Sequence, residues 1–113
     1  MQAIGPSSTD WPAASVQMWP LARIVPYPNN PRHHPPEQVA LLAGSMLVEG
    51  VTMPILVDEA GVIIAGHGRL LAAQKNGFAE YPVVIAEGWS EEKKRAARIR
   101  DNSIRAYPVD TQD

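Results

Sequence analysis

Val62-Ile63-Ile64-Ala65-Gly66-His67-Gly68-Arg69-Leu70-Leu71-Ala72-Ala73 changes backbone period at its fifth residue. Its first four residues are β-branched or small and apolar, the composition of a buried strand. From His67 to Asn76 the chain is helix-competent, with Leu70 and Leu71 as apolar anchors and Gly77 at the usual C-terminal cap position. A strand that turns into a helix through Gly66-His67-Gly68-Arg69 presents backbone N–H groups and a positive dipole end where an anion can reach them. Glycine lets the backbone come close, Arg69 adds a planar, permanently charged fork, and His67 offers a further donor. By itself the tetrapeptide also fits a steric glycine turn with a capping or solvent-facing histidine. It is not a Walker A loop, which is longer and ends in Lys-Ser or Lys-Thr, and it lacks the third glycine of a dinucleotide fingerprint.

Working outward, Ile55-Leu56-Val57, the turn Asp58-Glu59-Ala60-Gly61 and Val62 to Ala65 form a β-hairpin. Upstream of it, Val39, Leu42, Ala43, Met46 and Leu47 repeat at helical spacing, Pro36 suits a first helical turn and Gly50 offers the stop. Downstream, Tyr81 to Ala86 is a short apolar strand whose early proline places it at a strand start or a sheet edge. Ser90 is an N-cap candidate, and Glu91 and Glu92 complement the dipole of a last helix that runs to about Arg105. Eight of the eleven prolines lie in the first 36 residues, which excludes regular helix or central strand there. Val16 to Trp19 reads as an edge strand, Leu21 to Ile24 as a short turn, and Pro26 to Arg32 as an extended arm. The sum is one α/β (α+β) domain, a small mixed sheet packed with about three helices, spanning 15–107 between a flexible leader (1–14) and a tail (108–113).

At 113 residues the chain has a one-domain length. It contains no cysteine, which excludes a disulfide framework, a cysteine zinc site and a cysteine nucleophile. No apolar run approaches the ~18 residues that span a bilayer and no signal peptide is visible, so we expect a cytoplasmic protein with no membrane partner. A net charge of −2 argues against coating nucleic acid by bulk electrostatics. Yet six of the ten Lys and Arg residues fall between Lys93 and Arg105. There Lys94, Arg98, Asp101, Asn102 and Arg105 share a face by three- and four-residue steps. Spacing alone makes this a solvated face; the sharper reading gives Asp101 and Asn102 to a magnesium ion that also touches a nucleotide's phosphates. His33-His34 precedes Pro35-Pro36 and is unassigned, and Trp11, Trp19 and Trp89 are too dispersed for a base-stacking platform.

Taken in order, these segments resemble the ParB/sulfiredoxin superfamily, in particular the ParB-like N-terminal domain, over about Val16 to Arg105. Leu21-Ala22-Arg23-Ile24 with Pro28-Asn29-Asn30-Pro31-Arg32 resembles the opening segment, and Glu49-Gly50-Val51-Thr52-Met53-Pro54-Ile55-Leu56-Val57 the first box. Gly66 to Ala73 looks like the arginine-bearing phosphate box, and Arg100-Asp101-Asn102 like the third box. The resemblance implies binding of CTP with Mg2+, slow triphosphatase activity and action on DNA. Residue by residue, it implies phosphate or nucleotide contacts at Gly66, His67, Gly68, Arg69, Thr52 and Met53, and a metal beside Asp101 and Asn102. Arg32, Lys94 and Arg98 are the candidate contacts to DNA or ligand.

Three departures qualify that transfer. Met53 stands where many relatives place glutamine or asparagine before proline, so the resemblance leaves the base unassigned. His67-Gly68 replaces a glutamate and an arginine, which implies binding more directly than hydrolysis. No helix-turn-helix follows the third box, so sequence-specific DNA reading falls to a fused or partner domain. The His-Gly variant is most similar to copies in phage proteins and beside or fused to DNA methyltransferases, and sulfiredoxin chemistry is excluded by the missing cysteine. The expected function is therefore a nucleotide-binding module for DNA binding or modification, with a nucleoside triphosphate and DNA as partners and a homodimer as an assembly option. The alternatives are a ParB-like nuclease and an interaction domain that keeps the fold without a ligand.

Overall fold

The hairpin expected at the centre of the chain is present, and the strand whose proline suggested a strand start or a sheet edge begins two residues before that proline and is an inner strand. The computed structural model describes residues 16–28 and 34–106, with the side chains of 102–106 left aside. The leader, the tail, the Asn29 to Arg32 part of the arm and His33 lie outside the described residues. The elements are β1 (Val16–Pro20), a single 3-10 turn (Leu21–Arg23), α1 (Pro36–Glu49), β2 (Ile55–Val57), β3 (Ile63–Ala65), α2 (His67–Lys75), β4 (Glu80–Ile85) and α3 (Glu91–Ala106). The sheet order is β1-β4-β2-β3. β4 pairs antiparallel with β1 and parallel with β2, and β2 pairs antiparallel with β3.

β4 is thus an inner strand despite Pro82. Pairing with β2 begins only at Val83, opposite Ile55, so the missing N–H of Pro82 falls just before that ladder and costs it nothing. Alternate residues of the inner strands, Ile55 and Val57 with Tyr81, Val83 and Ile85, join Ala43 and Met46 of α1 and Leu70, Ala72 and Ala73 of α2 in one core. Ile64 and Val84, of opposite parity, are also buried. Two apolar anchors expected from periodicity lie outside this core. Leu47 is 67% exposed and Leu71 38%, because α1 and α2 pack on each other through a narrower stripe than the sequence offers.

The segment after the 3-10 turn joins the sheet as well. Val25 bridges Val62 in parallel, its N–H donating to Gly61 O and its carbonyl accepting from Ile63 N. The start of the arm therefore runs alongside β3 toward the β3–α2 corner. Gly61, at φ 89°, is required where it stands, since a methyl there would lie 2.9 Å from the Arg23 carbonyl.

At the other end of the hairpin, α3 is fastened by charge. Ser90 Oγ accepts from Lys93 N at 3.0 Å, the expected N-cap. Lys94, only 7% exposed, pairs with Glu59 at 3.3 Å and Glu91 at 3.2 Å. One turn on, Arg98 Nε donates to Ile63 O at 3.0 Å, its Nη2 lies 3.6 Å from Asp58, and its guanidinium covers the Tyr27 ring at 4.2 Å. The solvated face expected for α3 is thus, at Lys94 and Arg98, a packed face.

Candidate functional site

β3 ends at Ala65, and Gly66 turns the chain into α2 with φ 108° and ψ 25°. Its carbonyl accepts from Arg69 N at 3.0 Å and Leu70 N at 3.2 Å, which closes the first turn, and no side chain caps the helix. The space around Gly66 is filled on two sides. A methyl on its Cα would stand 3.2 Å from Arg69 Nη1, 3.2 Å from Ile55 Cγ1 and 3.4 Å from Ile55 Cα. The Arg69 side chain therefore folds back so that its charge lies at the corner, and the beginning of β2 lies directly beside it. Thr52 and Met53, in the loop entering β2, are exposed next to this wall.

A residue that sequence reasoning treated as plain strand completes the wall. Tyr81 of β4 is 1% exposed, and its hydroxyl donates to the Met53 carbonyl at 2.9 Å. Burial pushes the phenol above its ordinary value of 10.0, and the Arg69 charge partly opposes the rise, which places the guanidinium within electrostatic reach of the ring. The available signal was a tyrosine at a core position, since a buried hydroxyl needs a partner.

On the opposite side, the Tyr27 N–H donates to His67 Nε2 at 3.1 Å. That nitrogen is therefore an acceptor. The expected donation from His67 is corrected to this extent: Nε2 ties the arm to α2. Gly68 has its own steric reason, because a methyl there would lie 3.3 Å from His34 Nδ1. The His34 and His67 rings lie 26° from parallel with centroids 6.5 Å apart. Tyr27 of the arm and His34 beyond it thus both reach the first turn of α2. An open groove of about 370 Å³, lined by His34, Gln38, Val39, Leu41, Leu42 and Gly68, lies on this side.

The expected DNA or ligand contacts Lys94 and Arg98 are engaged inside the protein, the first by two glutamates and the second by Ile63, Asp58 and Tyr27. Asp101 is partly buried, one turn beyond Arg98. α3 meets the hairpin at Glu59 and then at Ile63, so its course from Lys94 to Arg98 follows β3 toward Gly66, and Asp101 continues in that direction. The Asn102 side chain lies outside the described residues. Among the described residues no group of three or more His, Cys, Asp or Glu could hold a metal by itself. No described helix is long and apolar enough to cross a membrane.

Fold and site together define a small α/β domain with a glycine-arginine corner at a helix start. The ParB N-terminal domain model matches residues 6–103, and the chain belongs to that family. It is 45% identical over 76 residues, 67% of its length, to the ParB-like nuclease domain-containing protein YnaK of Escherichia coli K12, covering 87% of that protein. The chromosome-partitioning protein ParB of Caulobacter crescentus, solved with CTP-gamma-S, superposes with a TM-score of 0.65 at 26% identity over 87% of this chain. The same protein complexed to the centromeric parS site gives 0.66 at 28% over 80% of this chain. The chain spans 56% and 49% of those two truncated ParB chains. Sulfiredoxin of Arabidopsis thaliana gives 0.61 at 27%, over 73% of this chain and 94% of that one. The expected ParB/sulfiredoxin fold is therefore present.

Proposed function

We propose that this domain binds a nucleoside triphosphate, with its phosphates at the Gly66 to Arg69 corner, and serves as a nucleotide-dependent module in DNA binding or modification. The observation that supports this most directly is the Arg69 guanidinium folded against a left-handed Gly66 at the start of α2. A helix N-terminus without a side-chain cap and a permanent cation together suit phosphate oxygens. Thr52 and Met53 lie where they would border the ligand, and the CTP-gamma-S complex of the Caulobacter relative makes CTP the first nucleotide to test.

Magnesium fits as a shared ion rather than a caged one. Asp101 on α3, with Asn102 next to it, would supply oxygen ligands and the phosphates would supply the rest. When bound, the ion would neutralise phosphate charge. With His67 Nε2 engaged by Tyr27 and no carboxylate at positions 67 or 68, turnover is expected to be slow relative to binding. DNA engagement through a fused or partner domain, and dimer formation, belong to the same proposal.

The test is calorimetric titration with CTP, ATP, GTP and UTP, with and without magnesium, on the wild type, Arg69→Ala and Asp101→Ala. Arg69→Ala is expected to weaken binding roughly 10- to 150-fold, the worth of hydrogen bonds to a charged group. Asp101→Ala is expected to remove only the magnesium-dependent part. One observation favours a second reading, an interaction domain without ligand: Leu41, Leu47 and Val48 of α1 are 76%, 67% and 84% exposed. No binding heat with any nucleotide would select it, and magnesium-dependent DNA cleavage would select a nuclease instead.

A further inference from the structure

We infer that Tyr81 is a positioning residue of the anion corner: its hydroxyl keeps the Met53 carbonyl turned into the sheet, so that this oxygen is not presented to bound phosphates. This rests on the nucleotide reading above and adds to it the residue that sets the polarity of one wall.

The wall is made by the peptide between Met53 and Pro54. Proline has no N–H, so the Met53 carbonyl is the one polar group of that peptide. Pointed at the corner, its partial negative charge would oppose an anion, with no neighbouring donor in the same peptide to offset it. The structure gives that oxygen to Tyr81 at 2.9 Å. The donor is firmly held: the Tyr81 ring is in the core with Ile55 and Val83, and its strand is braced on both sides by β1 and β2. The loop so fixed leads straight into Ile55, whose Cα would lie 3.4 Å from a methyl on Gly66. Arg69 is near both elements, since its Nη1 stands at Gly66 and its charge acts on the Tyr81 phenol. One hydroxyl thereby orders the loop on the side of the corner where the arginine lies.

Tyr81→Phe keeps the ring and removes the donor. The full chain is titrated with CTP, CDP and CMP in magnesium, as wild type, Tyr81→Phe, Arg69→Ala and Val83→Ala. Val83→Ala loosens the same strand by a cavity and leaves the hydroxyl in place. We expect Tyr81→Phe to bind CTP roughly five- to tenfold more weakly, the scale of one lost hydrogen bond. The loss should be smaller for CDP and smallest for CMP, because a carbonyl released toward the corner acts on ligand charge. Val83→Ala should keep the three affinities in their wild-type ratio. An equal loss for all three nucleotides in Tyr81→Phe means general loosening and overturns the inference. CTP affinity within twofold of wild type in Tyr81→Phe, together with loss in Arg69→Ala, overturns it while leaving the nucleotide reading intact. A wild type that binds none of the three overturns both.

A measurement on the unaltered chain stands beside the variants should Tyr81→Phe not fold. Met53-Pro54 is the single Met-Pro pair in the sequence, so its carbonyl can be labelled and assigned selectively by NMR. Its resonance should stay in the hydrogen-bonded range when CTP is added. A shift to the range of a free carbonyl would show the oxygen leaving Tyr81 on binding, against the inference.

Discussion

Replacing Gly66 by alanine tests the corner at its tightest point. A φ of 108° lies beyond the usual left-handed well, so an L side chain costs at least the ~1–2 kcal/mol of that region. The added methyl would also stand 3.2 Å from Ile55 Cγ1 and 3.4 Å from Ile55 Cα. Ile55 is 0% exposed and its strand pairs with β3 and β4, so it can yield only by moving backbone, an overpacking cost of about 1–3 kcal/mol. Arg69 Nη1, at 3.2 Å, ends a flexible chain and moves cheaply, but its charge moves with it. We expect a total of about 2–5 kcal/mol, read from urea unfolding, and at roughly 4–8 °C per kcal/mol a fall in Tm of about eight degrees or more. Gly44→Ala is the matched control. It is exposed in α1 with nothing within 4 Å of an added methyl, so alanine should stabilise by about 0.5–1 kcal/mol through helix propensity. Gly66→Ala within about 0.5 kcal/mol of wild type would refute this account of the corner.

Arg98→Ala removes a bond to the Ile63 carbonyl, a 3.6 Å ion pair with Asp58 and the cover of the Tyr27 ring, from a side chain only 12% exposed. The expected cost is roughly 2–4 kcal/mol, with faster amide exchange concentrated in α3 and near Tyr27; exchange unchanged in α3 would contradict its role as a fastener. The Glu59 carboxyl is held below its ordinary 4.5, first by the Gly88 amide and also by Lys94, so its contribution is present above 4.5 and is lost as pH falls through the lowered value. Burial works against the Lys94 ammonium, but Glu91 and Glu59 outweigh it and leave its pKa above 10.5, so that contribution is full below 10.5 and is lost as pH rises through the raised value. Urea midpoints of wild type and Lys94→Met should therefore differ most between these limits and converge outside them; a constant difference across the whole range would count against the pairing.

The element order was legible because its signals are local. Pro36 and Gly50 bracket α1, Ser90 caps α3, and the β-branched runs on either side of Asp58 become β2 and β3. What failed depends on partners distant in sequence. Leu71 and Leu47 match helical periodicity as well as Leu70 and Met46 do, and only the α1–α2 packing decides which pair is buried. Pro82 argues for a strand start or an edge until the register shows that the pairing of β4 with β2 begins one residue later, at Val83. Lys94 and Arg98 read as solvated cations because their partners, Glu59, Asp58 and the Ile63 carbonyl, lie in the hairpin at least 35 residues away. At the corner, the Gly66 turn into α2 was legible from type and order, whereas the contacts of Tyr81, Tyr27 and His34 were not, since they arise across the fold.

Those contacts explain how the corner is held. The Tyr27 N–H takes His67 Nε2 as its acceptor, so the bond that anchors the arm occupies that nitrogen. The cationic side chain at the corner is Arg69, beside the start of α2. Arg69 lies against a rigid wall, because Gly66 admits no side chain and Ile55 is locked in the sheet. The opposite wall is fixed through Tyr27, whose N–H holds His67 and whose ring is covered by Arg98 from α3. A corner braced from β4 on one side and α3 on the other has much of its ordering cost met by folding, which under the proposed reading leaves less of it to be met when a phosphate binds.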